Sequence, residues 1–175
     1  DRWALTLEMN NLKRSLVLPY RAFVAEMRGQ ANYTRVPIYD GFHWPVVSEA
    51  KTKHQDGTPF DDLSEYQSDD ISGVEASGSI GARSLDINFL SYGPLIQAGH
   101  YIGIGNDLHI LTTVSFSGTV ASVTIEPSLR RAHNASRVSL RPFLQCRFTN
   151  DDVGEHPLEF GRTSAPSLDL EEIIL

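Results

Sequence analysis

The sequence predicts a mainly β protein: an antiparallel β-barrel or sandwich with one amphipathic helix near the N-terminus, a long acidic loop and a C-terminal arm. After residue 73, short runs rich in β-branched and aromatic residues recur at near-regular intervals, separated by Gly, Asn, Asp and Ser. Only one segment has clear helical periodicity. We predict one domain over residues 1–150, followed by an arm over residues 151–175.

The composition is that of a packed globular chain. Apolar residues make up 41% of the 175 residues and charged residues 21%, which is too apolar for a disordered protein. The net charge of −7 disfavours a nucleic-acid partner, because a phosphate backbone would be repelled. No apolar run approaches the roughly 18 residues that cross a bilayer, so no membrane partner is predicted. Cys146 is the single cysteine, which excludes an internal disulfide and suits assembly in a reducing cytoplasm.

The N-terminal elements follow from two periodicities. Residues 3–9 alternate between apolar and polar side chains, as in a strand with one buried face. Because this pattern begins at once and Asp1 is not Met, we expect further residues to precede it. Apolar positions then recur at helical spacing over residues 12–28, with a kink expected at Pro19 and Gly29 as the C′ residue. A second strand is predicted over residues 32–39, at a sheet edge because of Pro37.

Residues 40–72 change character and are predicted to form a long loop. The segment carries Gly, Pro and many acidic residues, and long loops in compact domains usually serve a function or are disordered. Further strands are predicted at 74–77, 84–90, 100–104, 108–116, 120–125 and 137–147. Glycines at 99, 103 and 105 indicate a bend or close backbone approach in a barrel wall, and residues 127–130 indicate a turn that closes a hairpin.

Residues with catalytic potential are present, but they lack the spacing that catalysis or metal binding needs. The nucleophile-elbow pattern Gly-x-Ser-x-Gly does not occur. Cys146 could pair with His156, although a buried apolar role is favoured for this thiol. The six histidines lack zinc-site spacing and are expected to be solvated, and the acidic residues do not fit a calcium loop. We therefore predict no catalytic residue, no metal and no cofactor.

Charged and terminal residues are the candidates for contacts between subunits. An Arg of one copy can bind a carboxylate of another in a bidentate manner, although a solvated turn is the equally good alternative for the basic stretch. The C-terminal residues are apolar after an acidic run, as in an arm that packs on a neighbour. The candidate interface residues are Asp61, Asp62, Glu65, Asp69, Asp70, Arg130, Arg131, Arg137, Ile173, Ile174 and Leu175.

Two blocks of sequence resemble the distal-tail and minor tail proteins of siphophages. The first block is PLIQAGHYIGIG at residues 94–105, followed by LHI at 108–110 and VTIEPSLR at 123–130. The second is RAFVAEMRGQA at residues 21–31, which is similar to the helix and its exit in those proteins. The resemblance spans about residues 3–150. It rests on apolar and glycine patterns, and His100 stands where Asp is expected.

The resemblance implies a scaffold rather than an enzyme. Proteins of this family are expected to form rings of six copies that join the tail tube to the tip or baseplate complex of the virion. Expected partners are other copies, the tail tube protein, tip hub proteins and the tape measure protein. Two alternatives stay open: a carbohydrate-binding module that uses Trp44, Tyr66 or Tyr92 to stack on sugars, and a cell-wall hydrolase that uses the acidic loop.

Overall fold

A computed structural model describes residues 2–9, 14–38, 51–52, 66–67, 71–151 and 167–174. The chain divides into two compact units. Unit 1 comprises Asp1–Val36 and Leu144–Leu175, and unit 2 comprises Pro37–Phe143. Residues from both ends of the sequence therefore belong to unit 1, whereas the sequence analysis assigns them to a domain and a separate arm.

Strands dominate the described residues. The one α-helix, α1, spans Arg14–Met27, and a short 3-10 helix spans Leu90–Tyr92. The strands in chain order are β1 (Ala4–Glu8), β2 (Thr34–Pro37), β3 (Lys51–Thr52), β4 (Tyr66–Gln67), β5 (Glu75–Gly78), β6 (Ser84–Asn88), β7 (Tyr101–Ile104), β8 (Asp107–Ser117), β9 (Val120–Glu126), β10 (His133–Ser139), β11 (Phe143–Phe148) and β12 (Ser167–Glu172). The prediction of a mainly β protein with antiparallel sheets and one helix is confirmed.

Unit 1 is built on a four-stranded sheet in the order β1-β12-β11-β2. β12 runs antiparallel to both β1 and β11. Its side chains alternate, with Leu168 and Leu170 buried and Ser167 and Asp169 exposed, so it has one core-facing side. Residues 167–172 of the predicted arm are thus an inner strand of the sheet. The prediction of an arm rested on the polar turns of this segment and overlooked its short alternation of apolar and polar residues.

Helix α1 packs one face into unit 1. Tyr20 and Met27 are buried, and the ring of Phe23 meets that of Phe148 edge-on with 6.1 Å between centroids. The helix continues through Pro19. Gly29 follows its end with φ of +62°, which confirms the predicted C′ glycine. β2 lies at the sheet edge, as the proline at its end predicts.

Unit 2 contains a six-stranded sheet in the order β5-β10-β7-β8-β9-β6. The two outer strands, β5 and β6, lie beside each other, so the sheet is a nearly closed barrel. Its interior is filled by branched aliphatic side chains and Phe89, all removed from solvent. The largest of these fully buried residues are Phe89, Ile71, Ile87, Ile102, Ile104, Leu111, Ile125, Leu129 and Leu140.

A tight turn explains one glycine of the 99–105 segment. Ile104 pairs with Asp107 across β7 and β8, which leaves Gly105 and Asn106 as a two-residue hairpin turn. Gly105 has φ of +60°, a conformation that glycine adopts without strain. The turn brings the start of β8 close to β10, because the Gly105 amide donates to the Arg137 carbonyl at 2.9 Å.

Three predicted features of residues 40–147 need correction. The predicted strand 137–147 is two strands, β10 and β11, which lie in different sheets and are separated at Pro142, a residue without an amide proton. Residues 127–130 do not close a hairpin, because β9 and β10 are not neighbours in the barrel. Most of the predicted 40–72 loop lies outside the described residues, but β3 and β4 within it pair antiparallel.

Candidate functional site

The predicted interface residues fall into three groups. The five acidic candidates, together with Leu175, lie outside the described residues. The three arginines, Arg130, Arg131 and Arg137, belong to unit 2, and Arg131 is bound to a carboxylate of its own chain. Ile173 and Ile174 belong to unit 1 and follow β12. The described candidates are therefore divided between the two units.

A buried polar cluster joins the β7–β8 turn to β10. Arg131 Nη2 donates to Asp107 Oδ1 at 2.9 Å, and His133 Nε2 lies 3.4 Å from Asp107 Oδ2. His133 Nδ1 lies 2.9 Å from Ser136 Oγ. The Asp107 and His133 side chains are 8% and 5% exposed, whereas Arg131 is 39% exposed. The carboxylate is thus a buried anion held by a cation that still reaches water.

His109 extends this cluster along β8. It is fully buried, and its Nδ1 lies 2.8 Å from the Pro127 carbonyl oxygen. Burial lowers the pKa of His109, and the hydrogen bond to Pro127 and the charge of Asp107 oppose that shift. The neutral ring donates from Nδ1, which leaves Nε2 as an acceptor without a hydrogen-bond partner.

The cluster contains residue types of a catalytic triad, but its arrangement suits a structural role. Arg131 already neutralises Asp107, and neither of the two grooves described below is lined by Ser136 or His133. Within the described ranges, no three His, Cys, Asp or Glu residues are placed to hold a metal ion. The cluster instead ties the loop before β10 to the hairpin turn.

The expectation of solvated histidines is wrong for the three that the structure describes. His100, His109 and His133 are all buried. Asp107, Leu108 and His109 are buried one after another at the start of β8. Because apolar and polar residues do not alternate there, the sequence pattern did not indicate that His109 is buried. His100 caps its own turn, since its Nδ1 accepts from the Gln97 amide at 3.2 Å.

Cys146 is a buried thiol with a raised pKa. Its side chain is fully buried in β11, and burial raises its pKa to about 11. Its nearest polar contact is a weak one to the Thr34 carbonyl oxygen at 3.9 Å. The apolar role favoured from the sequence fits this environment, and His156 lies outside the described residues.

Unit 1 carries a groove of about 330 Å³, which we call the unit 1 groove. It is lined by residues from the start of β1, the exit of α1, the start of β2, β11 and the end of β12. Tyr33 and Ile174 are 52% and 47% exposed, so its walls present apolar surface to solvent. The lining residues are Arg2, Gln30, Ala31, Asn32, Tyr33, Arg147, Glu172, Ile173 and Ile174. Only the two isoleucines among them were predicted as interface residues.

A shallower groove of about 240 Å³ lies on the outer face of the barrel. Hydroxyl groups from β6, β8 and β9 line this groove. Several of them are already hydrogen-bonded within the protein: Thr113 Oγ1 donates to Thr124 Oγ1 at 2.7 Å, and Ser122 Oγ donates to Asp86 Oδ1 at 2.6 Å. The aromatic residue proposed for sugar stacking in this part of the chain is engaged elsewhere. Tyr92 packs against the barrel core, and its hydroxyl exchanges hydrogen bonds with the backbone of Ser72.

The helix of the described residues is too short and too polar to cross a membrane. No protein-family model matches the sequence, and no curated protein matches it.

Proposed function

We propose that this protein is a structural subunit of a bacteriophage tail tip, which assembles with other copies into a ring between the tail tube and the tip complex. The observation that carries the proposal is the resemblance of residues 94–130 to siphophage distal-tail proteins. In the fold, this block is one continuous part of the barrel: β7, the Gly105 turn, β8, β9 and the turn after it.

The chemistry of the described residues supports a scaffold. In the buried polar cluster, Asp107 Oδ1 is bound by Arg131 of the same chain, and the single thiol is buried and protonated at neutral pH. In contrast, the unit 1 groove presents Tyr33, Ile174 and Arg2 on its surface. A closed ring needs two unlike surfaces that meet head to tail, and exposed apolar residues with a nearby cation suit one of them.

Binding to the tail tube tests this function. The purified chain would be mixed with polymerised tube protein from the same phage and examined by negative-stain electron microscopy. The proposal predicts a ring-shaped density at one end of each tube. A variant that carries Ile174→Asp in the unit 1 groove and keeps the Asp107–Arg131 pair should fail to form this ring. Tubes with bare ends at every protein concentration would contradict the proposal.

A further inference from the structure

The unit 1 groove is held in shape by contacts within the chain. Glu172 Oε2 accepts from the Trp3 amide at 2.9 Å, and the Ile173 amide donates to the Gln145 carbonyl at 3.0 Å. Asn32, another lining residue, donates from its side chain to the Glu26 carbonyl at 2.6 Å. A groove whose walls are already hydrogen-bonded loses little conformational entropy when it binds a partner.

The charges of the groove favour an acidic occupant. Glu172 also lines the groove, but it is only 3% exposed and its carboxylate accepts the hydrogen bond from the Trp3 amide. Arg147 donates from Nε and Nη2 to Glu171 Oε1 at 3.0 and 2.9 Å. The charge of Arg147 is therefore paired with a carboxylate of the same chain. Arg2 is exposed at the groove. Arg2 is therefore the charged group that the groove presents to solvent, and it lies among the same lining residues as the apolar Tyr33 and Ile174.

One segment of this chain has the matching composition. Residues 56–65, with the sequence DGTPFDDLSE, include Asp56, Asp61, Asp62 and Glu65 and no Lys or Arg. The same ten residues include two large apolar side chains, Phe60 and Leu63. Carboxylates to meet Arg2 and apolar side chains to cover Tyr33 and Ile174 thus occur within one short stretch.

We propose that the unit 1 groove binds residues 56–65 of a second copy of this chain. The inference rests on the proposed ring function, since a head-to-tail ring repeats one contact between two unlike surfaces. It names these surfaces: the acidic segment of one copy and the groove of the next. Arg2, Tyr33 and Ile174 are then the residues that fix which copy follows which.

Cysteine cross-linking tests the contact. Leu63→Cys and Ile174→Cys are made as separate variants, mixed, and oxidised, and the disulfide-linked pair is measured by non-reducing electrophoresis. Native Cys146 does not interfere, because it is buried and its pKa of about 11 keeps it protonated. We expect a product of twice the chain mass from the mixture. Ile80→Cys replaces Ile174→Cys as the control, because Ile80 is 69% exposed but does not line the groove.

A charge reversal tests the role of Arg2. Arg2→Glu is expected to lower the cross-linking yield about three- to tenfold at subsaturating concentration, as for one partly desolvated ion pair. Arg21→Glu changes the net charge equally, is exposed on α1, and should leave the yield unchanged. When the copy with Leu63→Cys also carries Asp61→Lys and Asp62→Lys, its cross-linking to the Arg2→Glu variant of the other copy should be restored.

Three results would overturn the inference. The first is a cross-link between Leu63→Cys and Ile174→Cys no stronger than the Ile80→Cys control. The second is equal loss of yield in Arg2→Glu and Arg21→Glu. The third is a disulfide within one monomer when both cysteines are placed in one chain, since the occupant is then the chain's own segment. If the first result is obtained and the protein still forms rings, the contact between the groove and residues 56–65 is refuted while the proposed function stands.

Discussion

Removing either partner of the Asp107–Arg131 pair should destabilise unit 2, but by different amounts. Arg131→Ala leaves a carboxylate that is 8% exposed without its cation, whereas Asp107→Ala leaves an arginine that is 39% exposed and can turn to water. Breaking a fully buried pair costs about 3–5 kcal/mol. We expect a loss of about 3 kcal/mol in the free energy of unfolding for Arg131→Ala and about 2 kcal/mol for Asp107→Ala.

Urea unfolding followed by circular dichroism measures this difference. With a slope of about 2 kcal/mol per molar urea, the midpoint should fall by about 1.5 M for Arg131→Ala and about 1 M for Asp107→Ala. The double variant should be more stable than Arg131→Ala alone, because it removes the stranded charge. Arg83→Ala is the control: Arg83 is 61% exposed in its pair with Glu126, and its loss should cost at most about 0.5 kcal/mol. The reasoning is refuted if Arg131→Ala costs no more than Asp107→Ala.

Three further predictions concern other parts of the fold. Gly29→Ala should lower the free energy of unfolding by about 1–3 kcal/mol, because φ is +62° and an added Cβ would lie 2.9 Å from Asp151 Cα; an unchanged melting temperature would contradict this. Because burial lowers the pKa of His109, the unfolded chain takes up its proton first, so stability should fall as the pH drops below about 6.5. His109→Gln should flatten that part of the stability–pH curve, and an identical slope would argue against His109 as its source. Cys146 should react with a thiol reagent at pH 8 only as fast as the protein opens, so that the rate rises with urea; immediate reaction of the native protein would show that the thiol is accessible.

Local patterns predicted the elements better than their arrangement. The helix near residues 14–27, the glycine after it and the edge position of β2 follow from side-chain spacing and backbone chemistry within a few residues. The place of β12 depends on pairing with β1, which is about 160 residues away in the chain. A sequence pattern reports that Leu168 and Leu170 share a face, but it does not report which strand lies beside them.

The candidate sites show the same limit. The aliphatic end of the chain was expected to contact a neighbour, and Ile174 does present apolar surface at a groove. Arg2 and Tyr33 line the same groove. The sequence did not predict them as interface residues, because they are far from Ile174 in the chain. The buried cluster of Asp107, Arg131 and His133 was also missed, since polar residues in strands are normally read as solvent-facing.

The mass of the purified chain in solution is the most direct test of the ring proposal. Light scattering across a range of concentrations, followed by negative-stain imaging of the largest species, would give both the number of copies and the symmetry. The account predicts a closed ring, expected to contain six copies, that dissociates as salt is raised. A monomer of 19.4 kDa at every concentration and salt would contradict it.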